Sequence, residues 1–209
     1  SARAWALPQP PCWPSGWPPA GSTGNPRETA GPLPSAHPGA RSAKGRPVSQ
    51  DLPLIDSRAA WQAALRWGFE TALQRGARRI TCVDASFETW PLDDPALLQD
   101  LTAWLRLPLR RLVLLARRYD EVPRRFPRFT AWRRDFGHAI EPWQAPEELA
   151  SDLPNLLLDD GPVGVQLVDE LHWRGRAAVD ARSATLWRER TDVILQRSTP
   201  AFAVVTLGL

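Results

Sequence analysis

Residues 51–209 are expected to form an α/β domain, a mainly parallel sheet flanked by helices with a C-terminal hairpin. Three observations predict this. Short apolar runs (Ile80–Val83, Leu112–Ala116 and Ala139–Trp143) alternate with amphipathic stretches of helical length, and strands that alternate with helices make parallel crossover units. Two further apolar runs are separated by Asp160-Gly161-Pro162, the signature of a hairpin. Residues 1–50 differ in kind: they hold 11 of the 22 prolines and show no apolar period. Proline fixes φ and removes a donor, and such a segment buries too little to offset its ordering entropy. Residues 1–50 are therefore expected to be a disordered Pro-rich tail that the domain does not need for folding.

The elements follow in order. Asp56 or Ser57 can cap a helix that carries Trp61, Ala64, Leu65, Phe69, Ala72 and Leu73 at i, i+3, i+4 spacing, with Gly76 as its stop. The strand Ile80–Val83 leads to Asp84. Asp94-Pro95 is a cap with a first-turn proline, opening a helix through Leu97, Leu98, Leu101, Trp104 and Leu105. The segment Arg110–Trp143 reads as strand, amphipathic helix, strand. Its aromatic stripe, Phe126, Phe129, Trp132 and Phe136, is read as a core face with Arg124, Arg125, Arg128 and Arg133 outside, since packing explains the period and base stacking does not. Pro146 opens a short helix, Glu147–Leu153. The hairpin strands are Asn155–Asp160 and Val163–Asp169. A helix from Ala181 to Arg197 turns Leu186, Trp187, Val193, Ile194 and Leu195 inward, and Phe202–Leu207 closes the chain as a strand.

Charge is unevenly spread. The chain carries +3 overall, yet residues 1–50 hold five basic groups against Glu28, while residues 51–209 hold 21 basic and 22 acidic groups. A nucleic-acid partner is possible but disfavoured on that balance. Lys44 is the only lysine, a bias expected of a GC-rich genome more than of chemistry. Within the domain, residues 106–134 hold ten arginines, and residues 135–170 hold nine acidic groups and no Lys or Arg. Such segregation implies either internal pairing or a charged partner. Cys12 and Cys82 offer no disulfide or zinc framework, so a reducing, cytoplasmic setting is expected. No apolar run is long enough for a membrane span.

No nucleophile elbow, phosphate loop or dinucleotide fingerprint is present, so no catalytic residue, metal or cofactor is assigned. Asp84, Arg117 and Arg118 should lie at the carboxyl ends of adjacent strands, where open α/β sheets bind ligands. Two arginines there could hold a phosphate or carboxylate. Asp160 and His172 complete the candidate ligand-binding set. His172 follows Asp169-Glu170-Leu171, too little for a metal site.

The segment Leu153-Pro154-Asn155-Leu-Leu-Leu-Asp159-Asp160-Gly161, with the order of elements around it, resembles half of a phospholipase D-like domain. That family's motif is His-x-Lys, four residues, then Asp. The Asp-Gly aligns with Asp160-Gly161, but Leu153 stands at the histidine position and Asn155 at the lysine position. Leucine is no nucleophile and asparagine carries no charge. The resemblance implies a degenerate bacterial copy, working as an interaction or anionic-ligand-binding module with a protein, phosphate or carboxylate partner. The alternatives are a phosphodiesterase or nuclease using His138 or His172, and an Arg-mediated nucleic-acid binder.

Overall fold

In the computed structural model residues 52–203 are described, so the expected tail lies outside the described residues. Ser57 supplies the first cap, its hydroxyl accepting the Ala60 amide, and α1 follows (Arg58–Gln74). Its inner stripe buries Trp61, Ala64, Leu65, Phe69 and Ala72. The helix ends at Gly76, whose φ of 76° lets the Gly76 and Ala77 amides turn back onto Leu73 and Ala72. Then come β1 (Arg79–Asp84), α2 (Pro95–Leu105) capped by Asp94, and β2 (Arg111–Ala116).

The expected helix after β2 is divided into α3 (Val122–Arg125), α4 (Pro127–Trp132) and a 3-10 turn (Arg133–Phe136), because Pro123 and Pro127 each start a new segment. Phe126, Phe129 and Phe136 are buried and Trp132 packs against them, as a core face should. Arg133, expected outside, is buried instead. Its guanidinium lies 3.6 Å above the Phe202 ring and donates to the Phe202 carbonyl, so the returning C-terminal chain covers it. Burial lowers its pKa.

After β3 (Ile140–Gln144) come α5 (Glu147–Ala150), β4 (Asn155–Asp159), β5 (Val163–Asp169), β6 (Arg174–Val179), α6 (Ala181–Leu195) and β7 (Thr199–Pro200). The sheet order is β6-β5-β4-β1-β2-β3-β7. The fold is α/β, but the sheet is mixed and mostly antiparallel rather than mainly parallel. Only β1–β2 and β2–β3 run parallel; β4 pairs antiparallel with β1, and β5, β6 and β7 with β4, β5 and β3. The single turn of α5 explains the difference. A parallel return needs a crossover of a dozen or more residues, and here the chain leaves β3 and enters β4 at the same rim of the sheet.

Three smaller expectations also change. Strand β6 was not anticipated. It is an edge strand whose Arg174 and Arg176 are exposed, and Gly175 admits the close approach of the Gln166 carbonyl, 2.6 Å from where a Cβ would sit. On α6, Leu186 and Val193 face solvent, while Ala184, Trp187, Thr191 and Ile194 are buried. Among the described residues the last strand is Thr199–Pro200; Phe202, expected to open a closing strand, has φ 47° instead, and residues 204–207 of that expectation lie outside the described residues.

One face of the sheet packs Ile80, Cys82, Leu112, Leu114 and Leu157 against α1, α2 and the α3–α4 segment. The other packs Val83, Leu115, Leu156 and Leu158 with Trp187 and Ile194 of α6. Among the described residues no helix is long and apolar enough to cross a membrane.

Candidate functional site

The sheet has two rims, one at the carboxyl ends of β1 to β3 and one at their amino ends. The candidate residues divide between them.

Asp84 ends β1 at the carboxyl rim and is 5% exposed. Its Oδ1 accepts the amides of Ser86 (2.8 Å) and Phe87 (2.7 Å), and its Oδ2 accepts the Trp90 indole (2.9 Å). Burial raises its pKa against the pull of those donors. With three donors already satisfied, Asp84 holds a loop, and Phe87 (φ 60°) and Trp90 stack edge-on within it at 5.2 Å. Arg117 and Arg118 stand at the end of β2, as expected. Arg117 pairs with Glu147 at 2.5 Å, whereas Arg118 is exposed and has no ion-pair partner among the described residues. His172, at the exposed tip of the β5–β6 hairpin, faces Asp169 with Nδ1 2.8 Å from Oδ2. That contact lowers the Asp169 pKa. Among the described residues no cluster of His, Cys, Asp or Glu could hold a metal ion.

Asp160 lies at the opposite rim. Antiparallel pairing of β4 sets Asp159 beside Ile80, so Asp160 follows at the start of β1. It accepts the Arg78 amide at 3.0 Å, and buried Asp159 accepts the amides of Gly161 and Val163. Leu153 and Asn155, which occupy the histidine and lysine positions of the resemblance, begin β4 at the carboxyl rim. Leu153 packs into the Trp187 cluster. Asn155 and Asp160 are thus at opposite ends of one strand, about 16 Å apart at strand spacing, and Leu153 precedes the strand on the Asn155 side. They form no joint site.

The amino rim lies outside the residues expected from the sequence to bind a ligand, Asp160 excepted. Arg78-Arg79 precedes β1 and Arg110-Arg111 precedes β2, and parallel pairing brings Arg79 directly beside Arg111. The Arg111 amide donates to the Arg78 carbonyl at 2.9 Å. Arg75 and Arg106 cap the carboxyl ends of α1 and α2, where a cation complements the helix dipole. Six arginines from two helix ends and two strand starts therefore share one rim. Carboxylates there are engaged: Glu141 holds Arg111 at 3.1 Å, Asp192 lies 4.0 Å from Arg79, Asp160 serves the Arg78 amide, and Asp159 the Gly161 and Val163 amides. Arg110 is half-buried, and its Nε has no hydrogen-bond partner among the described residues. A recess at this rim is lined by Arg75, Gly76, Arg78, Asp159, Asp160 and Gly161. Chemically, the rim can neutralise and hydrogen-bond phosphate or carboxylate oxygens. The repeated Arg-Arg before each strand was the available signal.

No family model matches the chain, and no curated protein matches it in sequence. Its fold is similar to that of TrmBL2, an archaeal chromatin protein whose structure is described as showing a novel mode of DNA binding, with a TM-score of 0.52 and 10% identity. The likeness covers 76% of this chain and 57% of that one, so the chain spans little more than half of TrmBL2's length. At that identity the likeness concerns the fold alone.

Proposed function

We propose that this domain is a non-catalytic module that binds a phosphate-bearing anionic partner through its amino rim. The observation that carries the reading is the in-register pairing of Arg79 with Arg111, flanked by Arg78 and Arg110. Arg111 and Arg79 have Glu141 and Asp192 as partners, whereas Arg75, Arg78, Arg106 and Arg110 have no ion-pair partner among the described residues and leave positive charge at the rim for an anion to meet. The non-catalytic part is supported by Leu153 packed into the core, Asp84 committed to its loop and Asp160 held apart from both. Kinship with a degenerate, bacterial and cytoplasmic phospholipase D-like domain fits within this reading.

A second reading makes duplex nucleic acid the natural partner. It draws on the DNA binding named for TrmBL2 and on where the acidic groups lie. Glu147, Glu148, Asp169 and Glu170 belong to α5 and the β5–β6 turn at the carboxyl rim, away from the arginines.

A labelled DNA duplex serves as the phosphate probe for both. With four arginines neutralising phosphates, affinity should fall about 10²-fold between about 50 and 200 mM salt. Arg78→Ala/Arg110→Ala should flatten that salt dependence by about two charges. Binding indifferent to salt and to the double variant would overturn the proposal, and absent duplex binding would overturn the second reading.

A further inference from the structure

The α2–β2 connection adds an apolar tip to this rim. Leu107, Pro108 and Leu109 project between Arg106 and Arg110, with Leu107 49% and Leu109 75% exposed. The tip is fixed in place. The Leu107 amide donates to the Trp104 carbonyl at 3.0 Å, and the Trp104 indole donates to the Ala77 carbonyl at 2.7 Å, tying it to the turn that carries Arg75 and Arg78. Leu109 is held at φ 59°, a left-handed conformation that asparagine or glycine adopts more readily than leucine.

Single exposed leucines need no explanation, but these two bracket a proline in the exposed connection between Arg106 and Arg110. Leu171 offers a contrast. It is 89% exposed at the β5–β6 tip, yet its neighbours are Asp169, Glu170 and His172, an acidic setting. Near the rim tip the closest acidic groups along the helices are Glu70 and Asp100, which line the α1–α2 groove beside Leu107. Asp100 precedes Arg106 by about 9 Å of helix rise, so it stands back from the tip.

The combination discriminates between polyanions. A nucleic-acid backbone rewards the arginines and offers nothing to exposed leucines. An anionic bilayer surface rewards both: lipid phosphates attract the guanidinium groups, and the acyl boundary accepts apolar side chains. Resting on the rim reading above, we infer that the phosphate-bearing partner is an anionic lipid surface. Leu107 and Leu109 enter the interface, and Arg75, Arg78, Arg106 and Arg110 contact the headgroup phosphates.

The test uses the full 209-residue chain, with vesicles of phosphatidylcholine alone, phosphatidylserine-rich vesicles, and the labelled duplex. The variants are Leu107→Ser/Leu109→Asn and Arg78→Ala/Arg110→Ala. Asparagine suits the positive φ at residue 109, and an unchanged melting temperature verifies that the variant is folded. The chain should co-sediment with the phosphatidylserine-rich vesicles only. The leucine variant should lose about tenfold or more of that affinity and keep its duplex affinity; the arginine variant should lose both. Duplex binding without vesicle binding, or vesicle binding indifferent to the leucine variant, overturns the lipid inference and leaves the arginine rim standing. Failure of every anion to bind overturns the rim as well.

Discussion

Replacing Asp84 separates a loop-holding carboxylate from a ligand-binding one. Asp84→Ala would strand three donors, the Ser86 and Phe87 amides and the Trp90 indole, two of them in fully buried hydrogen bonds. A buried donor left without a partner costs about 1–3 kcal/mol, so the loss should reach roughly 3–6 kcal/mol once water re-entry at Ser86 is allowed for. That is a large share of a total stability of about 5–15 kcal/mol. At roughly 2–4 °C per kcal/mol for a domain of this size, the melting temperature should fall by roughly 6–24 °C. Asp84→Asn should lie between. Its amide oxygen can still accept the Ser86 and Phe87 amides, but its nitrogen then meets the Trp90 N–H, donor against donor. Differential scanning calorimetry with all three proteins reads the order directly. An alanine variant that melts within about 2 °C of the parent would refute the reasoning, because Asp84 would then be free for another task.

Two further outcomes follow from local geometry. Gly164→Ala would set a Cβ 2.2 Å from Cζ3 of Trp187, so the midpoint of urea unfolding should drop by the equivalent of about 1–3 kcal/mol with an unchanged slope; no change would mean that Trp187 moves aside freely. Asp94 caps α2 and accepts a 2.6 Å bond from Arg66, chiefly the latter holding its pKa below the ordinary carboxylate value. Because the folded-state value is the lower one, its contribution is complete above about pH 4 and is lost as pH falls through the folded value. Asp94→Ala should cost about 1 kcal/mol at neutral pH and flatten the acid limb of the stability profile, checked by melting temperatures against pH.

Much of the fold is legible because its signals are local. Asp94 with Pro95, the α1 stripe and Gly76 mark helix ends and faces, and the apolar runs at Ile80, Leu112 and Ile140 mark the three parallel strands. The direction of β4 is not local. It depends on which rim the chain occupies after β3, and α5 is too short to carry it across. Strand β6 escapes notice because Arg174–Val179 lacks an apolar alternation, its outer edge having no second strand to pack against. Arg133 was misread for a similar reason: the Phe202 ring that covers it is 69 residues away in the chain. At the candidate site, the carboxyl ends of β1 and β2 were placed correctly, but the Asp84 side chain is consumed by its own loop. The two Arg-Arg pairs are plain in the sequence. Only the Arg79–Arg111 register makes them one surface.

On the proposed reading the amino rim, and not the carboxyl rim, receives phosphate. Titrating the isotopically labelled protein with pyrophosphate and following amide and arginine Nε resonances by NMR tests it most directly. Saturable shifts are expected at Arg75, Arg78, Arg79, Arg106, Arg110 and Arg111, with the Arg110 Nε–H moving because it gains the partner it lacks among the described residues. Shifts confined to Arg117 and Arg118 at the other rim, or no saturable shift at all, would contradict it.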